Sequence, residues 1–472
     1  MPFFVFYAII LALYWKAPRI FPRNVLLLLA SWFFYSVGEI RFLPVLLFFT
    51  SLDFLCAKLI AKAQARGRDS EAFRIICFSV VSNVALLSFF KLSWFLASEW
   101  PALQKFYITS PEHILLPIGI SFYTFQSLSY TIDVYRRRIP VCTNFIDFAL
   151  YVAFFPQLIA GPIERGNHLL PQLRTHYLDR VPTLEMCQQA AWLIFLGVLK
   201  KVVIADRLMP YTRWGVSELQ LSHGWDVWLA STVFILEFLC DFSAYTDIAL
   251  GLALLFGIRL TENFRSPYFA TSPQKFWQRW HITLGAWFRD YLYTPLQQWG
   301  CPRWIAVIAT MMVVGAWHGA EPKFIVWGAA WGVLLVGDSL WRKARAALWP
   351  ARVSDELNLW RRLEGLMGWS FVMICWIVLG FLFVTHSLRD SLTLFERALK
   401  FTSSSRTLPD LQSAVFLLAP FVFVEVMQWR TSNRFFWFRW PLVWRVLWIL
   451  LLVLFILGNY ATGENEFIYF AF

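Results

Sequence analysis

The chain has 472 residues, 58% of them hydrophobic and 15% charged, whereas soluble domains carry about 25% charged residues. That balance excludes a soluble globular protein and points to an all-α polytopic membrane protein. The formal net charge is +12, but the basic residues lie in short loops between apolar runs, where they set orientation; membrane lipid is the expected partner, not nucleic acid.

The first apolar run, Phe3 to Trp15, lacks a basic leader and a small-x-small cleavage signal, so it is expected to be a retained first span. Further runs follow at about 25–38, 42–57, 75–97, 114–132 and 145–160, and the loops between them alternate in basic content. Lys16, Arg19 and Arg23 fill the first loop, Lys58, Lys62, Arg66, Arg68 and Arg74 the third, and Arg136, Arg137 and Arg138 the fifth. The second holds Glu39 and Arg41, and the fourth Glu99, Lys105 and Glu112. The positive-inside rule then puts the N-terminus outside.

From Phe145 to Phe269 the alternation fails, because Pro156, Gly161-Pro162, Lys200-Lys201 and a string of acids interrupt the apolar runs. Broken or re-entrant helices are expected there, and such backbone is tolerated at membrane depth only where it is buried in protein or lines a wet cavity. Between Trp225 and Ile258, Glu237, Asp241 and Asp247 fall within an arc of about 120° on a helical wheel and must face the interior. They could orient a histidine, pair with Arg279 or Arg289, conduct protons, or serve as structural ion pairs. Asp247 is the preferred functional acid, since Gly251 beside it lets a neighbouring backbone approach.

Ser272-Pro273 reads as a helix start, and the stretch to Tyr293 as one amphipathic helix. Trp277, Trp280, Leu284, Trp287 and Tyr291 recur at helical spacing, while Lys275, Gln278, Arg279, Arg289 and Asp290 take other faces. His281 falls on the aromatic side with Trp277 and Phe288, either as a functional group or as the satisfied histidine of an interfacial helix.

Trp304 to Trp317 is almost wholly apolar and spans about 21 Å as a helix, short of a hydrocarbon core of ~30 Å. His318 therefore interrupts two apolar runs, the second starting at Phe324 beyond Pro322 and Lys323. An ionisable side chain at that depth is costly and reads first as a functional group, with packing alone as the alternative. Beyond Asp338 comes a basic loop with Arg342, Lys343, Arg345, Arg352, Arg361 and Arg362, then spans at about 367–385, 411–427 and 441–459. Residues 387–410 form an outer loop, and the tail with Glu464 and Glu466 is placed outside. About eleven crossings in one integrated unit, residues 1–472 with a core near 115–338, are expected.

The chain has no nucleotide-binding glycine motif and no G-x-S-x-G elbow; its seven cysteines never form C-x-x-C. No metal and no permanently bound cofactor are expected. What remains fits acyl transfer from a cytoplasmic acyl-CoA to a hydroxyl, with a neutral buried imidazole as base. Lys200-Lys201 or Arg136 to Arg138 could hold coenzyme A phosphates, the alternative being ordinary anchoring.

Several motifs carry a likeness to a known family. They are Leu116-Pro117-Ile118-Gly119-Ile120-Ser121-Phe122-Tyr123, Gly161-Pro162-Ile163, Lys200-Lys201-Val202-Val203-Ile204-Ala205-Asp206 and Asp241-Phe242-Ser243-Ala244-Tyr245-Thr246-Asp247. Glu262-Asn263-Phe264, Phe276-Trp277-Gln278-Arg279-Trp280-His281, Trp287-Phe288-Arg289-Asp290-Tyr291, Trp317-His318-Gly319 and the tail Phe467-Ile468-Tyr469-Phe470 complete the set. In these the chain resembles the membrane-bound O-acyltransferase (MBOAT) superfamily, in the branch of the bacterial alginate O-acetyltransferase membrane subunit and the teichoic acid D-alanyl transfer protein.

The resemblance implies a ring of tilted helices around a central tunnel in the bacterial cytoplasmic (inner) membrane. It implies His318 as the membrane histidine of the family and His281 as the second catalytic candidate, with Asp247, Trp317, Asn263, Arg279, Arg289 and Asp290 as supports. It further implies acetyl-CoA as donor, an exported SGNH-hydrolase-type partner, and an exported polysaccharide such as alginate as acceptor. A lipid-linked or small acceptor is the second reading. A transporter or flippase is the third, and it predicts an internal repeat that the sequence does not display.

Overall fold

A computed structural model describes residues 2–16, 20–99, 117–175, 181–217, 223–348, 357–385 and 387–461. Those residues are mostly helical, with short 3-10 and π-helical turns and irregular connections, and no strand occurs among them. Seven of the helices are long and apolar enough to cross a membrane: Ile40–Ala65, Asp69–Leu92, Gly224–Leu255, Pro322–Ala347, Arg362–Val384, Thr407–Thr431 and Leu442–Asn459. Phe3–Lys16 and Arg303–His318 are shorter apolar helices. Arg19, Lys105, Glu112, Leu116, Arg352 and the tail from Glu464 to Phe472 lie outside the described residues.

Two expected runs come out shorter than a span. The run near 114–132 becomes Ile120–Tyr135, which starts after Gly119 in the left-handed conformation, φ 73°. The run near 145–160 becomes Phe145–Ala153, closed by the turn at Phe154 ahead of Pro156. Both helices are buried along nearly their whole length. Short helices of this kind are tolerated at membrane depth where protein surrounds them.

The chain folds into two compact units, Met1–Phe195 with Thr246–Glu262, and Leu196–Tyr245 with Asn263–Phe472. In the first unit, helices Leu43–Ala65, Asp69–Glu99 and Ile120–Tyr135 close around Asp53, which is fully buried. Its carboxylate accepts from Ser79 Oγ at 2.6 Å, from Asn83 Nδ2 at 3.0 Å and from Ser127 Oγ. Glu164, also fully buried, binds His168 Nδ1 at 2.6 Å and the Thr261 hydroxyl at 3.2 Å, which ties helix Gly166–Arg174 to the segment after Leu255. A Cβ on Gly251 would come within 2.7 Å of the Ala190 carbonyl oxygen, so a backbone does approach there. Asp247 belongs to this unit and is 2% exposed.

The second unit is built on helix Gly224–Leu255 up to Tyr245, the hairpin of Arg303–His318 and Pro322–Leu348, and the helices Leu357–Val384, Thr407–Thr431 and Leu442–Asn459. The most apolar window of Gly224–Leu255 is 78% buried, against 6% for Leu442–Asn459. The former can thus carry acids in its middle, and the latter is exposed along most of its length, packing through Trp448 and Phe455 on Thr407–Thr431. The stretch 387–410, expected as a loop, contains helix Leu388–Ala398, capped by Ser387 Oγ accepting from Asp390 N. Leu394 and Ala398 of this helix pack on Val227 and Phe381. The Ser-rich composition hid an amphipathic helix of only three turns.

Candidate active site

The apolar run into His318 forms helix Arg303–His318, and the histidine is its last residue. Gly319 is extended, and Pro322 starts the next helix, as its fixed φ and missing N–H favour. The two helices pack with their backbones in contact. A Cβ on Gly315 would run into the carbonyl oxygen of Phe324, and one on Gly328 into that of Met311. Small residues are what allow helices to approach so closely in lipid.

At the end of this hairpin the His318 ring meets Trp317 at 4.7 Å, Phe383 at 5.0 Å and Trp327 at 5.3 Å, all edge-to-face. His318 is half-buried. It shares a narrow cavity of about 20 Å³ with Phe234, Ile235, Phe238, Trp280, Trp327, Trp376, Gly380 and Phe383. That is room for about one water. Apart from the imidazole and the indole N–H groups, the lining is hydrocarbon, so a reacting group here would be kept from bulk water.

The segment leading to His281 departs from the sequence expectation. Instead of one helix from Gln274 to Tyr293, the chain makes Pro273–Trp277, a turn through His281, Ile282–Phe288 and a π-helical turn Arg289–Tyr293. Ser272 caps the first piece as expected, accepting from Lys275 N. The break has a partner distant in sequence. Asn263 O accepts from Ile282 N at 2.9 Å, and Asn263 Oδ1 accepts from Thr283 N at 3.2 Å and Thr283 Oγ1 at 2.9 Å, satisfying donors that open a helix. His281 pivots in the left-handed conformation, φ 42°, which costs a non-glycine residue about 1 kcal/mol.

The same amide fixes the tautomer. His281 Nδ1 lies 3.1 Å from Asn263 Oδ1, and since that atom accepts the Thr283 N–H it is the oxygen. Nδ1 therefore carries the proton and Nε2 the lone pair. Burial pushes the imidazole down to about 3, so it is neutral at physiological pH. Its ring packs on Phe242 at 4.8 Å and Trp317 at 6.4 Å, while the preceding residue, Trp280, lines the His318 cavity. The turn thus places both histidines against one indole.

The other predicted residues take quieter places. Arg289 bridges Asp290 at 2.9 Å on the surface, and Arg279 accepts Arg265 N on its carbonyl. Glu237 accepts from Thr212 Oγ1 at 2.8 Å, and Asp241 pairs with Lys201 at 2.9 Å. Lys201 also bridges Asp206 at 3.0 Å, and Lys200 is buried and donates to Ser243 Oγ at 3.1 Å. The sequence reading did not single out Trp327, Trp376 or Phe383. Their only signal was the aromatic richness shared by the whole chain.

The family model described as "MBOAT, membrane-bound O-acyltransferase family" matches residues 29–385. The chain belongs to the membrane-bound O-acyltransferase family. It is 37% identical to the probable alginate O-acetylase AlgI of Azotobacter vinelandii over 79% of this chain and 73% of that protein. It is 31% identical to the peptidoglycan O-acetyltransferase of Helicobacter pylori over 78% of this chain and 72% of that protein. It is also 24% identical to the teichoic acid D-alanyltransferase of Bacillus subtilis over 60% and 73%. As a membrane-bound O-acyltransferase the protein is a multi-pass membrane enzyme, which sets aside the transporter reading. His318, His281 and Asn263 all lie inside the family match.

Proposed function

We propose that this O-acyltransferase takes acetyl from cytoplasmic acetyl-CoA and passes it across the inner membrane for O-acetylation of an exported polysaccharide, with His318 as general base. The observation that carries the reading is the place of His318: the end of a helix, half-buried, on a narrow cavity walled by aromatic rings. A hydroxyl attacking a thioester must lose its proton as it attacks, and a neutral imidazole beside it can take that proton. The dry walls protect the thioester from hydrolysis. An acetyl donor and a glycan acceptor are supported by the names of the alginate and peptidoglycan relatives.

His281 serves as the neutral support of this base, and Asn263 holds its tautomer. The acetylated group is completed on the polymer by an exported SGNH-type partner, and both termini face that outer side. Lys200 and Lys201 are engaged inside the protein, so their service to coenzyme A phosphates requires those pairs to open. Replacement of His318 by Ala in a variant that inserts normally tests the reading. Ester content of the exported glycan should vanish, and unchanged acetylation would sink the mechanism.

A further inference from the structure

Among the buried donors of the second unit that meet no acceptor among the described residues are Trp277 Nε1, Trp327 Nε1, Trp331 Nε1 and Asn263 Nδ2. Burying an N–H without an acceptor is unfavourable, so such groups point to something that answers them. All four can only donate. A donor of this kind that also borders a cavity is placed to meet an acceptor oxygen of a bound molecule, and a thioester carbonyl is one; a donor away from the cavity is not. Trp277 lies 5.8 Å from Trp327 and 5.6 Å from Trp331, ring to ring, so the three indoles form one cluster.

Of the four, Trp327 is the one that also lines the cavity with His318, and its ring stands edge-to-face on that imidazole. It is 1% exposed and packs on Phe383 at 4.9 Å. Ring packing alone would be served by a phenylalanine; the N–H has no work in it. We infer that Trp327 is a catalytic residue whose indole N–H donates to the carbonyl oxygen of the donor thioester and holds the charge that develops there.

This rests on the proposed acetyl transfer. The acceptor oxygen forms a bond to the thioester carbon while its proton passes to the imidazole of His318. The carbonyl π electrons move onto oxygen, where the Trp327 N–H meets them. Collapse re-forms the carbonyl, breaks the C–S bond and sends the electron pair to sulfur, which takes the proton back from His318 and leaves as the coenzyme A thiol. One ester and one thiol result from one hydroxyl and one thioester. A single preorganised donor at such an oxygen is worth roughly 10²–10³ in rate.

The test uses the full chain in membrane vesicles from the native cell, which retain the exported partner, with acetyl-CoA as donor and the exported polysaccharide as acceptor, read by release of free thiol and by ester formed. Trp327→Phe keeps a ring and removes the donor; kcat should fall roughly 100-fold, with the KM for acetyl-CoA within about threefold. Trp331→Phe, in the same cluster but off the cavity, should stay within about threefold of the parent. Should Trp327→Phe fail to fold, benzothienylalanine at this position keeps the bicyclic shape with sulfur in place of N–H and is expected to show the same fall. A kcat within threefold of the parent for the Trp327 replacement overturns the assignment, as does an equal fall in Trp331→Phe. His318→Ala separates the two ideas. If it abolishes transfer while Trp327→Phe does not, only the oxyanion role fails; if His318→Ala remains active, the proposed base mechanism fails with it.

Discussion

His318 and His281 touch the same indole, that of Trp317, yet they live in different kinds of place. His281 is 2% exposed, sits in a left-handed turn, and has one nitrogen committed to Asn263. His318 ends a helix, is half-buried, and stands on a cavity among aromatic rings. A histidine that exchanges protons with a substrate has to be reachable. One that is woven into backbone hydrogen bonds is suited to hold geometry. On the proposed reading, one residue type divides between doing and bracing according to what its backbone is asked to do.

The contrast is open to breakage at several levels. The largest effect is expected from His318→Ala, which should cost at least about 10³-fold in thiol release from acetyl-CoA while leaving expression and monodispersity intact. Next comes Asn263→Ala, which leaves the Thr283 N–H, the Thr283 hydroxyl and His281 Nδ1 without their common acceptor. A rate loss of roughly tenfold or more with a lowered thermal midpoint is expected, and Asn263→Asp, which retains an acceptor oxygen, should recover part of the midpoint.

A subtler signature lies in pH. The His281 imidazole titrates near 6.5 when unfolded and is pushed down to about 3 by burial, so below 6.5 the unfolded chain binds the extra proton. The contribution of this residue is therefore fully present above pH 6.5 and is lost as pH falls toward 3, at about 1.4 kcal/mol per pH unit. Thermal melts from pH 7 down to about 4.5 should show that slope flattened in His281→Gln. If the parent and the variant keep the same slope, His281 is not the neutral brace described. The smallest effect is expected from Ser272→Ala, about 1 kcal/mol from loss of the N-cap, with transfer rate unchanged.

How much of this was readable in the residues depends on the range of the cause. The break at His318 was legible, because Gly319, Ala320, Glu321 and Pro322 interrupt two apolar runs in adjacent positions. The cap at Ser272 was legible for the same reason. The break at His281 was not. Trp277, Trp280 and Leu284 keep helical spacing across it, neither glycine nor proline marks it, and the partner that stabilises it stands 18 positions earlier. The cavity walls were equally hidden, since Phe238, Trp327 and Phe383 come from three helices far apart in the chain and look like any other aromatic residue of a membrane span.

The glycine seam of the hairpin has a mechanical consequence. With Gly315 set against the Phe324 carbonyl and Gly328 against that of Met311, a slip by one residue would bring Val314 or Ala316, or Trp327 or Ala329, to a place with no room for a side chain. The two helices are in effect keyed together, like a bolt in a slot. The spacing of His318 and Trp327 is then set by main chain on both sides, and changes of bilayer thickness or temperature would tilt the keyed pair as one body before they altered that spacing.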